Sequence, residues 1–235
     1  MDHWVDQAEL MRMTAVIVPV YFSSVPSDDM VRRLLWMTLG DSHHYVALEN
    51  VWAVVDGDPR SAALLDEVKQ RLLREHGTTF NVLPLPQNRG KLWAIQKGIS
   101  AALQARPDVE YLVIRDGDGD HAASDIPRLV RTAIALSDDY DSLHMIVIGS
   151  RRSRHRPMGW IRGELEELLD RVTLDALAYA LAREGRALNL RHCSGDAVPD
   201  LSSGYKVYGR EIAEDLFIGH EPQFACLSPK DYWHY

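Results

Sequence analysis

Five short apolar segments constrain the fold of this chain more than any other feature of its sequence. Segments of this length, rich in β-branched residues, are typical of strands buried on both faces of a parallel sheet. They alternate with stretches that carry apolar residues at helical spacing, and this alternation predicts right-handed βαβ units. We therefore predict an α/β fold with a mostly parallel sheet flanked by helices. The segments are residues 14–20, 51–55, 80–83, 111–114 and 145–148.

Capping residues set the expected ends of the helices. Ser27, followed by Asp28 and Asp29, is typical of a helix start, and Gly40 should end that helix. A later helix should begin at about Ser124, capped by that residue. Further along the chain we expect a long amphipathic helix over 164–183, an extended segment over 203–208 and a helix over 211–217.

The segment Asp116-Gly117-Asp118-Gly119-Asp120 comes after the fourth strand and carries the strongest chemical signal. Alternate residues of an extended chain point the same way, so the three carboxylates should converge on one small volume. A hard divalent cation such as Mg or Mn would relieve their repulsion. The alternative is an exposed acidic turn, because Asp-Gly pairs are strong turn formers. An EF-hand loop is excluded, since it needs Gly and Glu where this chain has His121 and Pro127.

Polar residues follow the predicted strands, at the point where each strand ends. In a parallel sheet these carboxyl ends meet at one edge, and ligands bind in the crevice beside it. Acids that could hold a metal and bases that could hold phosphates lie there together, which suits a nucleotide diphosphate bridged by a cation. The residues are Tyr21, Asp56, Asp58, Asn88, Lys91, the Asp116–Asp120 segment and Arg151, the first of a basic cluster that extends to Arg156.

The net charge and the composition limit the kinds of partner and the cellular location that we expect for this protein. A net charge of -8 argues against nucleic acid, for which a basic face would be expected. Only two cysteines are present, which is typical of an intracellular, reduced protein, and the amino terminus lacks the pattern of a secretory signal. The longest apolar run, residues 15–22, is too short to span a bilayer. We expect a cytoplasmic location, or one at the cytoplasmic face of the membrane with at most peripheral contact.

Taken in order, several motifs resemble those of the inverting family 2 glycosyltransferases of GT-A fold, and within them the polyprenyl (dolichol) phosphate mannose synthase branch. Each motif is short, but the ordered set extends over about residues 14–217. The motifs are Val18-Pro19-Val20-Tyr21, Val54-Val55-Asp56, Asn88-Arg89-Gly90-Lys91 with Ala94 and Gly98, Asp116–His121 with Asp125-Ile126-Pro127, Ile148-Gly149-Ser150-Arg151, and Asp200–Tyr208.

The resemblance implies a UDP- or GDP-sugar donor and assigns roles to particular residues. Asp118 and Asp120 would hold Mg or Mn, with Asp116 near the ribose, and Asp118 would be catalytic through the metal. Arg151 would bind the acceptor phosphate, and its basic neighbours could assist it. The nucleoside pocket would be lined by Pro19, Tyr21, Asp56, Asn88 and Lys91. The resemblance also implies a single domain over 1–235, with a nucleotide-binding half at 14–120, an acceptor-side half at 121–217 and an irregular tail at 218–235.

Departures from the family pattern leave alternatives open. Phe22-Ser23 replaces the usual Asn-Glu, and residues 164–170 are acidic where the polyprenyl branch continues its acceptor segment. The acceptor could therefore be a hydroxyl of a glycan or small molecule. That reaction needs a base, for which Asp200 is the candidate, unless Asp200 only anchors the Ser203-Gly204 turn. A non-catalytic scaffold domain that binds nucleotide sugars is a further alternative. A sugar-1-phosphate nucleotidyltransferase is disfavoured, because residues 20–26 contain no glycine.

Overall fold

The computed structural model describes residues 5–153, 159–190, 192–193 and 198–219. Its strands are β1 Thr14–Val20, β2 Val51–Asp56, β3 Asn81–Leu85, β4 Tyr111–Ile114, β5 Ile146–Ile148 and β6 Lys206–Gly209. Its helices are α1 Gln7–Met13, α2 Asp28–Leu39, α3 Pro59–His76, α4 Lys91–Ala105, α5 Ile126–Tyr140, α6 Trp160–Arg183 and α7 Arg210–Glu214. The expected tail lies outside the described residues from 220 onward, as do Arg154 and Arg156 of the basic cluster.

The strands form one six-stranded sheet in the order β3-β2-β1-β4-β6-β5. Strands β3, β2, β1 and β4 are parallel to one another, whereas β6 runs antiparallel to β4. The predicted α/β fold with a mostly parallel sheet is confirmed. The central strands β1 and β4 are almost wholly buried, as expected of strands covered on both faces.

Helices pack on both faces of the sheet and divide the core into two layers. One layer contains α4, whose Ile95 and Ile99 pack with Ile17 and Val54 of the sheet. Gly98 allows this close approach, because a Cβ there would lie 2.5 Å from a methyl carbon of Ile17. The other layer holds the buried residues of α2, α3 and α5. Strands β1 and β2 are thereby fixed between helices, and their carboxyl ends are left at the edge of the sheet.

Several helix boundaries differ from the expected ones. Ser27 caps α2 as predicted, with its side chain accepting a hydrogen bond from the Met30 amide. Ser124 does not cap α5, and this prediction is wrong: a short 3-10 turn over Ala123–Asp125 precedes the helix, which begins at Ile126. Helix α1 was not expected, because its seven residues are too few for a clear period.

The described residues divide into two compact units, one that combines the residues up to 147 with those from 204 onward, and one that lies within 148–203. The predicted boundary between two halves at residues 120 and 121 stays a prediction. The second unit contains α6, which buries Gly163, Glu166 and Asp170. An amphipathic helix normally buries its apolar face, and α6 does the reverse. Its exposed side chains include Trp160, Ile161, Leu165, Leu168, Leu169 and Val172.

Within the part of the chain that the structure describes, no helix combines the length and the apolar character needed to cross a membrane.

Candidate active site

A cavity of about 410 Å³ opens at the carboxyl ends of β1, β2 and β4, beside the amino end of α4. Seven residues that the sequence predicts for the nucleotide and metal site line it. They are Pro19, Tyr21, Asp56, Asn88, Lys91, Asp116 and Asp118. The remaining lining residues are Val20, Phe22, Gly90 and Gly117. The parallel topology thus brings together side chains that are up to 99 positions apart in the sequence (118 − 19).

Asp56, the last residue of β2, is 3% exposed and accepts two backbone hydrogen bonds from the segment that leads into α4. Its Oδ1 accepts from the Arg89 amide at 3.0 Å and its Oδ2 from the Gly90 amide at 2.7 Å. Gly57 allows the close approach, because its φ is +65° and a Cβ there would lie 2.1 Å from the Asn88 backbone nitrogen. Asp56 therefore holds in place the segment that carries Asn88 at the cavity.

Asp58 does not line the cavity and has a structural role instead. It caps α3, accepting hydrogen bonds from the Ser61 hydroxyl at 2.5 Å, the Arg60 amide at 3.2 Å and the Phe22 amide at 3.3 Å. Burial acts to raise the pKa of Asp58, but the hydrogen bonds from Ser61 and the backbone outweigh it and lower that pKa. Asp58 fastens the loop after β1 to the start of α3.

Lys91 and Asp116 form an ion pair beside the cavity, with side chains 23% and 27% exposed. Gly204 lies against the pair: a Cβ there would come within 2.8 Å of Asp116 Oδ2 and 3.2 Å of Lys91 Nζ. A larger residue at this position would displace one of the two groups. Because Lys91 offsets its charge, Asp116 differs from the two acids that follow it in the loop.

Asp118 and Asp120 are the exposed acids of the loop. The Asp118 Oδ1 accepts a hydrogen bond from the Asp120 amide at 3.2 Å. Partial desolvation, and then the charge of Asp118, raise the pKa of Asp120 above its usual value. Among the described residues, no three His, Cys, Asp or Glu side chains are grouped as a ready metal site. Two repelling carboxylates still fit Mg or Mn, because these ions complete their coordination with water and substrate phosphates.

Three further side chains contact the backbone of this loop, and the sequence analysis did not identify them as site residues. The Arg115 guanidinium donates to the His121 carbonyl, and the Tyr205 hydroxyl donates to the Ala122 carbonyl at 2.8 Å. The Thr38 hydroxyl lies 3.0 Å from the Gly117 carbonyl oxygen. The sequence signal that could have identified Arg115 is its positive charge, which stands between an apolar strand and an acidic loop.

His121 closes the same loop on itself. Its Nδ1 accepts a hydrogen bond from the Asp116 amide at 3.0 Å. Its ring stacks on Tyr205, with ring centroids 4.7 Å apart and planes 9° from parallel. Burial lowers the pKa of His121, which keeps the acceptor nitrogen unprotonated at neutral pH.

Arg151 lies in the second unit, where carboxylates bind its guanidinium. Asp200 contacts it at 2.5 and 2.8 Å, and Glu166 at 2.8 Å. The Ser202 hydroxyl oxygen lies 2.9 Å from Arg151 Nη2 and 3.4 Å from a carboxylate oxygen of Asp170. An anionic acceptor at Arg151 would therefore compete with two buried acids.

Asp200 is 2% exposed, and both of its oxygens contact Arg151. An adjacent guanidinium favours the ionised carboxylate and so weakens it as a base. The Asp200 carbonyl also accepts from the Ser203 amide at 3.1 Å, and the Ser203 hydroxyl donates to the Gly149 carbonyl at 2.7 Å. These contacts favour the anchoring role for Asp200 over the catalytic one.

A polar crevice at the carboxyl ends of parallel strands is typical of the class of open α/β proteins that bind ligands at that edge of the sheet. Within that class, the chain belongs to glycosyl transferase family 2, whose family model matches residues 15–217. The chain is similar to polyprenol monophosphomannose synthase of Mycolicibacterium smegmatis, with 27% identity over 208 residues. The alignment covers 86% of this chain and 64% of that relative. The family predicted from the motifs is confirmed.

Proposed function

We propose that this chain transfers a sugar from a UDP- or GDP-sugar to a polyprenyl phosphate, with inversion and with the help of Mg or Mn. The observation that carries the proposal is a cavity lined by Asp56, Asn88, Lys91, Asp116 and Asp118 at the sheet edge of a family 2 glycosyltransferase chain. The acceptor is suggested by the name of the mycobacterial relative, which also makes a mannose donor the first to test.

Two groups of residues at the cavity would bind the donor, one for its diphosphate and one for its nucleoside. Among the described residues no side chain caps the amino end of α4 at Gly90. The dipole of that helix end favours an anion, which suits the diphosphate of the donor. Pro19, Tyr21 and Asn88 line the same cavity and would contact the nucleoside. Asp56 would act indirectly, by holding the backbone of the 89–90 segment in place.

Asp118 and Asp120 would hold the divalent cation, which as a Lewis acid offsets charge on the departing diphosphate. The phosphate oxygen of the acceptor would attack the anomeric carbon from the face opposite the diphosphate. A carbon–oxygen bond forms as the bond to the diphosphate breaks, and an α-linked donor gives a β-linked product. A phosphate acceptor needs no base, which agrees with the engagement of both Asp200 oxygens by Arg151.

A hydroxyl acceptor is the second candidate, and one observation favours it. The Arg151 guanidinium is bound by Asp200 and Glu166, whose side chains are 2% and 4% exposed. An acceptor phosphate would have to displace or share these carboxylates. A hydroxyl acceptor would leave this cluster intact, but it would need a base from elsewhere.

The first experiment is a calorimetric titration with UDP, GDP and their sugars, with and without Mn, on the wild type and Asp118→Ala. Asp139→Ala is the matched control, because it removes an exposed carboxylate of α5 that does not line the cavity. We expect metal-dependent binding of one nucleotide, lost in Asp118→Ala and kept in Asp139→Ala. A well-folded wild type that binds no nucleotide would overturn the transferase proposal.

The acceptor is then tested with the donor that binds. A lipid-linked product formed from polyprenyl phosphate, with a β linkage by NMR, supports the proposal. Transfer only to glycan or small-molecule hydroxyls would support the second candidate.

A further inference from the structure

Arg115 is the largest fully buried side chain of the described residues, with no exposed surface. It comes between the end of β4 and the acidic loop, and its amide donates to the Ile17 carbonyl at 3.0 Å, continuing the pairing with β1. None of the ion pairs among the described residues involves Arg115. Burying a charge without a counter-ion opposes folding by a large fraction of a domain's stability. An apolar side chain would avoid that cost.

The guanidinium of Arg115 donates hydrogen bonds to two different segments of the chain. Its Nη1 donates to the Thr38 carbonyl at 2.8 Å and lies 3.4 Å from the Ser42 hydroxyl oxygen. Its Nη2 donates to the carbonyl of His121. The planar fork of arginine fixes the directions of these donors. Arg115 therefore ties the carboxyl end of α2 to the end of the acidic loop.

Other contacts hold the same loop, so that Arg115 is part of a connected set. The Thr38 hydroxyl lies 3.0 Å from the Gly117 carbonyl oxygen, and the Tyr205 hydroxyl donates to the Ala122 carbonyl at 2.8 Å. The Asp116 amide donates to the His121 ring at 3.0 Å. These contacts fix both ends of the loop, while Asp118 and Asp120 between the two ends remain exposed.

We propose that Arg115 is a positioning residue, which holds the loop over residues 116–122 in the conformation that allows Asp118 and Asp120 to bind a divalent cation. The proposal rests on the proposed function, because it concerns the same metal site. Groups behind a metal site orient the ligands, and their loss typically weakens metal affinity about 10- to 100-fold. The buried guanidinium of Arg115 then serves to hold the loop in place.

The test compares the wild type with Arg115→Met, which keeps the length of the side chain and removes its donors. Arg210→Met is the matched control. Arg210 donates to the carbonyls of Pro107 and Val109 at 2.8 and 3.0 Å, just before the opposite end of β4. The measurements are Mn²⁺ affinity by calorimetry, hydrogen exchange of the Asp116 amide by NMR, and the free energy of unfolding in urea.

For Arg115→Met we expect Mn²⁺ affinity to fall at least about 10-fold and exchange of the Asp116 amide to be at least about 10-fold faster. Unfolding in urea checks that the variant is folded under the conditions of these two measurements. The control distinguishes a local effect at Arg115 from a general loss of stability. Arg210→Met should change neither Mn²⁺ affinity nor exchange at the Asp116 amide. Wild-type exchange and Mn²⁺ affinity in a folded Arg115→Met variant would overturn the proposal.

Arg115→Lys covers the case in which the methionine variant does not fold. It keeps the positive charge, but one ammonium does not reproduce the fork, so the same two losses are expected. Wild-type values in Arg115→Lys would overturn the proposal as well. If the wild type binds no Mn²⁺, the metal site and the proposed function fail together, whereas faster exchange at Asp116 in the variants would still show that Arg115 holds the loop.

Discussion

Replacing Asp56 by Asn tests the geometry of the cavity most directly, because it changes one oxygen of a buried carboxylate and little of its shape. In the wild type both oxygens accept a backbone hydrogen bond, at 3.0 Å from Arg89 and 2.7 Å from Gly90. Asparagine has a single acceptor oxygen. One of the two amides must then face the side-chain NH₂ group, a donor, and lose its partner.

The magnitude follows from the environment. The side chain is 3% exposed, so water does not replace the lost acceptor. A hydrogen bond to a charged group contributes about 1.5–3 kcal/mol, and an unsatisfied buried donor costs about 1–3 kcal/mol. These two figures describe the same loss, and we expect Asp56→Asn to lower the free energy of unfolding by about 2 kcal/mol, roughly a 30-fold change in the folding equilibrium.

The assay is urea unfolding followed by tryptophan fluorescence, with hydrogen exchange at the Arg89 and Gly90 amides. We expect a lower midpoint with an unchanged slope, and faster exchange at one of the two amides. Nucleotide affinity should fall as well, because Asn88 and Lys91 flank the segment that loosens. A loss of less than about 0.5 kcal/mol with both amides still protected would refute the reasoning, since that is the range of an ordinary surface change.

Three further predictions concern single contacts. Asp58→Asn should lower the free energy of unfolding by about 1 kcal/mol at neutral pH, because asparagine has one acceptor oxygen where Asp58 uses two. The pKa of Asp58 is depressed in the folded state, so the difference should begin to shrink as the pH falls below about 4, where the unfolded chain takes up a proton, and should vanish only once the pH is also below the folded-state pKa. A pH-independent difference in urea unfolding would contradict this. Asp120→Asn removes one of two repelling charges, so it should raise stability by about 0.5 kcal/mol while weakening Mn²⁺ binding in calorimetry; a loss of stability with unchanged Mn²⁺ affinity would count against the metal site. Gly204→Ala places a carbon 2.8 Å from Asp116, so thermal melts should show a loss of about 1 kcal/mol and titration a lower nucleotide affinity, with Gly219→Ala, whose nearest atom is 3.7 Å away, as the control.

The grouping of Asp56, Lys91 and Asp116 around one cavity could be predicted because the sheet topology determines it. These residues follow apolar strands or open a helix, and a parallel sheet brings such positions to one edge whatever their distance in sequence. Their partners could not be predicted. Nothing in the sequence shows that Asp56 accepts from backbone amides, or that Lys91 pairs with Asp116, because such contacts depend on how loops close.

Arg115 and Ser124 illustrate two other limits. A charged residue after an apolar run is normally read as the exposed end of a strand, yet Arg115 is fully buried because backbone carbonyls of other elements supply acceptors. Ser124 has the residue type of a helix cap, but the 3-10 turn over Ala123–Asp125 delays the start of α5. Residue type gives a preference for a local structure, and the surrounding packing decides whether it is adopted.

The reversed faces of α6 change which of its positions tolerate mutation. Leu168 is 56% exposed, so a polar replacement removes apolar surface from water and is expected to be harmless or to improve solubility. Glu166 is 3% exposed, and leucine there would strip carboxylate partners from Arg151 and Arg162. A substitution matrix based on hydropathy would rank these two changes in the opposite order. Variant effects along this helix should therefore be ranked by burial and charge pairing, position by position.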